Sequence, residues 1–141
     1  MSDSTRVWER LYLGSLVDAE KIARSNPLEI TTVVSLCSQQ VFTRGAGIHY
    51  IRIPVADASP IAASKLNAIM ACIGEGMHRG SVLLHCGAGV SRSPILAAAW
   101  MHRCGYRNFD LALKEIAELR PMIDPCVELC ASVKEKNAIT S

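Results

Sequence analysis

Long apolar runs are missing from this chain. The longest stretch made wholly of apolar residues, Pro94 to Met101, falls far short of the ~20 residues that cross a bilayer, so no membrane-spanning helix is expected. An excess of one charge sign is missing too. Fifteen Lys and Arg stand against thirteen Asp and Glu, a net charge of +2, and the basic residues are scattered. That excludes the electrostatic footprint of a protein built to grip nucleic acid or an anionic membrane. The opening Met1-Ser2-Asp3-Ser4-Thr5-Arg6 has no apolar core of the kind a secretory signal needs. The chain is therefore expected in the cytoplasm or the nucleus, with its cysteines as reduced thiols. There are six, Cys37, Cys72, Cys86, Cys104, Cys126 and Cys130, and no Cys-x-x-Cys. Cys126 and Cys130 stand four apart but lack a second ligand pair at zinc spacing, so structural thiols are the default. Repeats, low-complexity tracts and long linkers are absent as well. The 141 residues read as one domain, 1–141, with residues 1–5 as a tail.

Apolar residues make up 50% of the chain, enough to bury a core, which rules out disorder as the main state. Short runs rich in β-branched residues predict strands at Val7–Trp8, Leu11–Leu13, Ile30–Leu36, His49–Ile53 and Ser81–His85. Helical spacing predicts helices over Ser15–Arg24, Ser59–His78, Arg92–Cys104, Asn108–Leu119 and Pro125–Lys136. Pro60 suits the first turn of the second, and Asn108 or Asp110 could cap the fourth. Strands alternating with helices imply an α/β fold: a mostly parallel central sheet of about five strands with helices on both faces. Val82-Leu83-Leu84 is apolar throughout, as a central strand covered on both sides requires. In such sheets ligands bind beyond the carboxyl ends of the strands. The segments after Leu36, Ile53 and His85 should therefore share one functional rim.

The segment from His85 to Ser93, His-Cys-Gly-Ala-Gly-Val-Ser-Arg-Ser, reads as strand end, tight loop and helix start. Cys-x5-Arg alone is weak, since about 0.4 such matches arise by chance in a chain of this composition. Its setting raises its value. Backbone N–H groups of Gly87, Ala88, Gly89, Val90 and Ser91, curling ahead of a helix N-terminus, would form a nest with a positive field. A phosphate group suits that nest, and Arg92 adds a planar fork that grips two of its oxygens. Cys86 at the floor feels the same field, which favours the thiolate. A thiolate under a bound phosphate is an in-line nucleophile, and the Ser93 hydroxyl can donate to the sulfur when it leaves. The plain alternative makes Cys86 a core thiol and Arg92 a surface charge. A helix N-terminus disfavours a cation, so Arg92 is then unexplained unless an anion is also present.

This loop resembles the His-Cys-x-Ala-Gly-x-Ser-Arg-Ser phosphate loop of the dual-specificity protein phosphatases, within the cysteine-dependent phosphatase superfamily. Leu11-Tyr12-Leu13-Gly14-Ser15 and Ala19 are similar to that family's opening strand. Arg120-Pro121-Met122-Ile123-Asp124-Pro125 is similar to its Arg-Pro-x-Ile-x-Pro segment, although Cys126 stands where Asn usually follows. The resemblance implies a small single-domain hydrolase acting on phosphotyrosine and phosphoserine or phosphothreonine of protein substrates, without metal or other cofactor. Protonating the leaving oxygen needs an acid. Of the five Asp residues, Asp3 lies in the tail, Asp18 and Asp110 are at helix starts, and Asp124 is in a turn. Asp57 follows a strand on the functional rim and matches the family's general acid, though capping the next helix would also explain it.

Between Cys86 and Arg92 there is no Lys or His. Superfamily members acting on phosphoinositides or RNA triphosphates usually carry extra basic residues there, so a singly phosphorylated substrate is implied. His85 could order the loop by bonding to backbone, or simply be a buried histidine. Cys37 ends a strand on the same rim. Some superfamily members similar in this strand carry a resolving cysteine at the matching place, which makes Cys37 a candidate redox partner of Cys86; most such thiols are simply packed. Two other functions use the same residues. A phosphate-binding module would capture phosphorylated partners without turnover, and a sulfur-transfer or thiol-redox enzyme would need neither Arg92 nor Asp57.

Overall fold

The computed structural model describes residues 4–140, and side chains as far as residue 137. The β-branched runs become strands β1 (Thr5–Trp8), β2 (Leu11–Gly14), β3 (Ile30–Ser35), β4 (His49–Arg52) and β5 (Ser81–His85). The helices are α1 (Leu16–Lys21), α2 (Ala63–Arg79), α3 (Arg92–Arg103), α4 (Phe109–Leu119) and α5 (Val127–Thr140). Strand order is β1-β2-β5-β3-β4. Only β1, on the edge, runs antiparallel to its neighbour; the other pairs are parallel.

The apolar run Val82-Leu83-Leu84 takes the centre of the sheet, fully buried as a strand covered on both faces must be. Side chains alternate along it. Val82 and Leu84 join a large core with Leu66, Ile69 and Ile73 of α2, Leu96 of α3, Ile116 of α4 and Leu129 of α5. Leu83 faces a smaller core with Ala19 and Ile22 of α1, Val33, and Val41 from the β3–β4 connection. Helices do cover both faces, but unevenly: four on one, and the short α1 with a long loop on the other. The small stretch Ala97-Ala98-Ala99, wholly buried, lets α3 pack closely between the sheet and the outer helices.

Register sets up the functional rim. Gly14 pairs with His85, and Ser35 pairs with His85 on its other side. Strands β2, β3 and β5 therefore end level, and the segments leaving them emerge side by side.

Four boundaries differ from the sequence expectation, and long-range contacts account for three. Residues 1–3 of the expected tail lie outside the described residues, but Thr5 is not tail: it pairs with Leu13 and its hydroxyl accepts from Arg120 Nη1 at 2.9 Å. The helix expected from Ser59 starts at Ala63, with Ala62 as N-cap. The Ile61 N–H donates to Ser132 Oγ of α5 at 2.9 Å, and that hydroxyl donates back to the Ile61 carbonyl at 3.3 Å. Pro60 thus lies in a docked lead-in rather than a first turn. The last helix starts at Val127 rather than Pro125, because Ser91 Oγ holds the Cys126 N–H at 3.2 Å. Helix α1 stops at Lys21 rather than Arg24, its start closed by a reciprocal Ser15–Asp18 capping box. Asn108, not Asp110, caps α4; Asp110 pairs with Lys134. Among the described residues no helix is long and apolar enough to cross a membrane.

Candidate active site

Strand β5 ends on His85, whose ring is fully buried. Its Nδ1 lies 3.2 Å from the Cys86 carbonyl oxygen and its Nε2 lies 2.6 Å from Ser35 Oγ. The carbonyl can only accept, so Nδ1 carries the proton and Nε2 accepts from the serine hydroxyl. Burial holds this histidine below its ordinary pKa, which keeps it neutral, and it bonds the backbone where the chain leaves the sheet.

Cys86 comes next, 2% exposed at the floor of the loop. Its Sγ lies 3.5 Å from Ser93 Oγ. Burial alone would push the thiol up. Against it work the Ser93 hydroxyl and the backbone N–H groups of Ser93, Ser91 and Gly89, all directed at the sulfur, and the net result lies below the ordinary thiol value. These are the donors that the sequence placed in a nest, converging on one atom at the N-terminus of α3. Ser93→Ala removes one of them. We expect the thiol pKa to rise by about one unit, worth about 1.4 kcal/mol, read from the pH profile of iodoacetamide alkylation. An unmoved profile would mean that the hydroxyl does not stabilise the thiolate.

Three segments clamp the loop from outside. The Leu16 N–H donates to the Gly87 carbonyl at 3.0 Å, and the Asp124 N–H donates to the Val90 carbonyl at 2.6 Å. Arg120, 3% exposed, donates from Nε to the Gly89 carbonyl at 3.0 Å. Gly89 has φ +73°, and a Cβ there would fall 2.6 Å from the Gly14 carbonyl oxygen. Both the left-handed conformation and the close backbone approach demand glycine.

Arg92 opens α3. Its Nη1 donates to the Val55 carbonyl at 3.2 Å, while its Nε is buried without a hydrogen-bond partner. A Cβ on Gly87 would sit 3.7 Å from Nη2, so the guanidinium lies beside the loop. A buried donor with no acceptor, at the helix end least hospitable to a cation, is what an anion site looks like before its anion arrives.

Asp57 is exposed, on the segment after β4. Its Oδ1 accepts from Ser91 Oγ at 3.0 Å, which ties the acid to the loop. It does not cap α2, whose N-cap Ala62 has no side-chain bond. Asp57, Cys86, Arg92 and Ser93 are thus gathered at one place, and Gly87 to Ser91 form the loop between them. Cys37 follows Leu36, whose N–H donates to the His85 carbonyl at 2.9 Å, so it also reaches the rim. Its buried thiol is directed at the Gln39 carbonyl, 3.7 Å away. All six cysteines are free. Cys126 and Cys130 share a helical turn, but among the described residues no group of three or more His, Cys, Asp or Glu could hold a metal ion.

Sequence reasoning passed over three participants: Arg120, Ser35 and the bridging role of Ser91. Arg120 stands in a motif used for resemblance, but its charge was not asked what it pairs with. Among the described residues no carboxylate forms a salt bridge with it; it serves carbonyl and hydroxyl oxygens instead.

Comparison with known proteins agrees with this geometry. Residues 11–139 match the family model for the dual specificity phosphatase catalytic domain. Human dual specificity protein phosphatase 15 is 32% identical over 121 residues, covering 82% of this chain and 39% of that protein. Bovine dual specificity protein phosphatase 18 is 30% identical over 130 residues, covering 89% of this chain and 68% of that protein. The crystal structure of DUSP15 superposes with a TM-score of 0.85 at 27% identity, covering 97% of this chain and 88% of the other. The chain therefore spans about two fifths of the human relative's length.

Proposed function

Because the chain belongs to the dual specificity phosphatase catalytic domain family, we propose that it hydrolyses phosphomonoesters on proteins, at phosphotyrosine and at phosphoserine or phosphothreonine, through a cysteinyl-phosphate intermediate. One observation carries this reading: a buried sulfur with converging N–H and O–H donors beside a guanidinium whose Nε has no partner. The thiolate of Cys86 attacks phosphorus in line, and the S–P bond forms as the P–O bond to the leaving group breaks. Asp57 supplies the proton to the departing oxygen. In the second step Asp57 takes a proton from water as that water attacks phosphorus. The S–P bond breaks, inorganic phosphate leaves, and the Ser93 hydroxyl donates to the released sulfur. Arg92 and the loop N–H groups hold the equatorial oxygens through both steps. The protein groups account for every proton, so no cofactor enters the scheme.

The absence of Lys and His between Cys86 and Arg92 suits one phosphate rather than several. A module that only captured phosphate would have no use for an acid hydrogen-bonded to the loop, so catalysis explains more of the site than binding does.

Asp57→Asn tests the scheme through its leaving groups. A serine alkoxide needs the proton and p-nitrophenolate does not. We expect kcat on a phosphoserine peptide to fall by about 10²–10⁴-fold, with a much smaller loss on p-nitrophenyl phosphate. Equal losses on both would remove Asp57 from the role of general acid.

A further inference from the structure

A second concave surface adjoins the loop on the sparsely covered face of the sheet. Helix α1, the 25–28 turn and Thr43 line a cavity of about 540 Å³, within the range of ligand and side-chain pockets. Its wall includes Val17, Ile22 and Leu28, and Val17 is 58% exposed. Phe42, next to Thr43, is 86% exposed, the most exposed of the large apolar side chains. Apolar surface left bare at such a place marks an interaction site more often than chance. The wall's carboxylates are spent inside the protein. Asp18 closes the capping box of α1, and Glu20 accepts from the N–H groups of Phe42 and Thr43 at 2.7 and 2.8 Å. Lys21 and Arg24, exposed on the same wall, enter no salt bridge among the described residues. The outward charge of this apolar cavity is therefore positive.

The groove is continuous with the candidate active site. Leu16, the residue before Val17, donates to the Gly87 carbonyl at 3.0 Å. A polypeptide whose phosphorylated residue sits in the loop passes over the first turn of α1 on its way out. We propose that this groove docks a segment of the phosphoprotein substrate that presents an apolar side chain flanked by Asp or Glu. The apolar residue fills the cavity between Val17, Leu28 and Phe42, and the carboxylates meet Lys21 and Arg24. This assignment rests on the phosphatase reading for the word substrate, though not for the contact itself.

The test separates the two. Wild-type protein and the double variant Lys21→Glu with Phe42→Ser are applied to an array of unphosphorylated nonapeptides varied in apolar and acidic content. Both changed residues lie outside the catalytic loop and are exposed, and thermal melting reports whether the variant folds as wild type does. If the variant melts early, Val17→Asp alone takes its place. Wild type is expected to select peptides combining an apolar residue with flanking acids, and the variant to bind them at least about tenfold more weakly while p-nitrophenyl phosphate turnover is unchanged. A phosphotyrosine peptide extended by a selected segment should then show a correspondingly higher kcat/KM than the unextended peptide, on wild type only. Failure to select such peptides, or selection that survives both variants, overturns the docking proposal and leaves the phosphatase reading standing. A concentration-dependent dimer of wild type, abolished by Lys21→Glu, would assign the groove to a second copy of the chain and overturn it equally. Selection without any turnover would sink the phosphatase reading alone.

Discussion

Cys86→Ser should lower kcat for any phosphomonoester by on the order of 10⁴–10⁶-fold, the scale seen when an enzyme's sole nucleophile is removed, while tungstate still binds. The two halves of that expectation come from different atoms. Attack on phosphorus needs an ionised nucleophile, and the donors around position 86 bring a thiol below its ordinary pKa. A serine hydroxyl starts so far above neutrality that the same donors cannot ionise it. Oxyanion binding depends on the backbone N–H groups and the Arg92 fork, which the substitution leaves in place. The loop should also stay folded, because its clamps are the carbonyls of Gly87, Gly89 and Val90 rather than the sulfur. Steady-state turnover of p-nitrophenyl phosphate and calorimetric titration with tungstate read the two halves separately. A serine variant with near wild-type turnover would end the covalent mechanism.

Arg92→Lys should fail differently. We expect kcat to drop by about 10³–10⁵-fold, the range for a guanidinium that stabilises phosphoryl-transfer charge, together with a marked loss of tungstate affinity. An ammonium keeps the charge but lacks the planar fork that takes two oxygens at once, and it gives up the bond from Nη1 to the Val55 carbonyl in its present form. Stability should move the other way. The buried Nε has no partner in the unliganded protein, and the cation opposes the dipole of α3, a cost of about 0.3–1 kcal/mol. Replacement with Met, which carries neither burden, is therefore expected to leave Tm unchanged or raise it while abolishing turnover. A lysine variant that retained wild-type kcat would show that charge alone suffices and that the fork is dispensable.

The contrast between these two variants also separates the candidate functions. A phosphate-binding module would lose its activity with Arg92 and notice little when Cys86 becomes serine. An enzyme of sulfur transfer would lose everything with Cys86 and tolerate Arg92→Lys.

What was legible beforehand follows the range of the interactions involved. Cys86, Arg92 and Ser93 lie within one loop of the chain, so their juxtaposition is a local matter of strand, turn and helix. Asp57 could be read because parallel strands bring their ends to one rim, a rule of topology rather than of particular contacts. The start of α2 was misplaced because Ser132, 71 residues away, takes the backbone of Ile61. The tail was drawn one strand residue too long because Thr5 is held by Arg120, 115 residues on. No local propensity encodes either contact.

The chain's own pattern was enough to set the α/β architecture, the central place of Val82-Leu83-Leu84 and the loop from His85 to Ser93, since periodicity, glycine placement and motif spacing act over a few residues. The folded chain alone decided which atoms steady that loop: Leu16, Arg120 and Asp124 on its carbonyls, Ser35 on His85, and Ser91 joining Asp57 to Cys126. Such partners are chosen by where packed elements come to rest, and burial then makes each unpaired donor costly enough that a partner must be found.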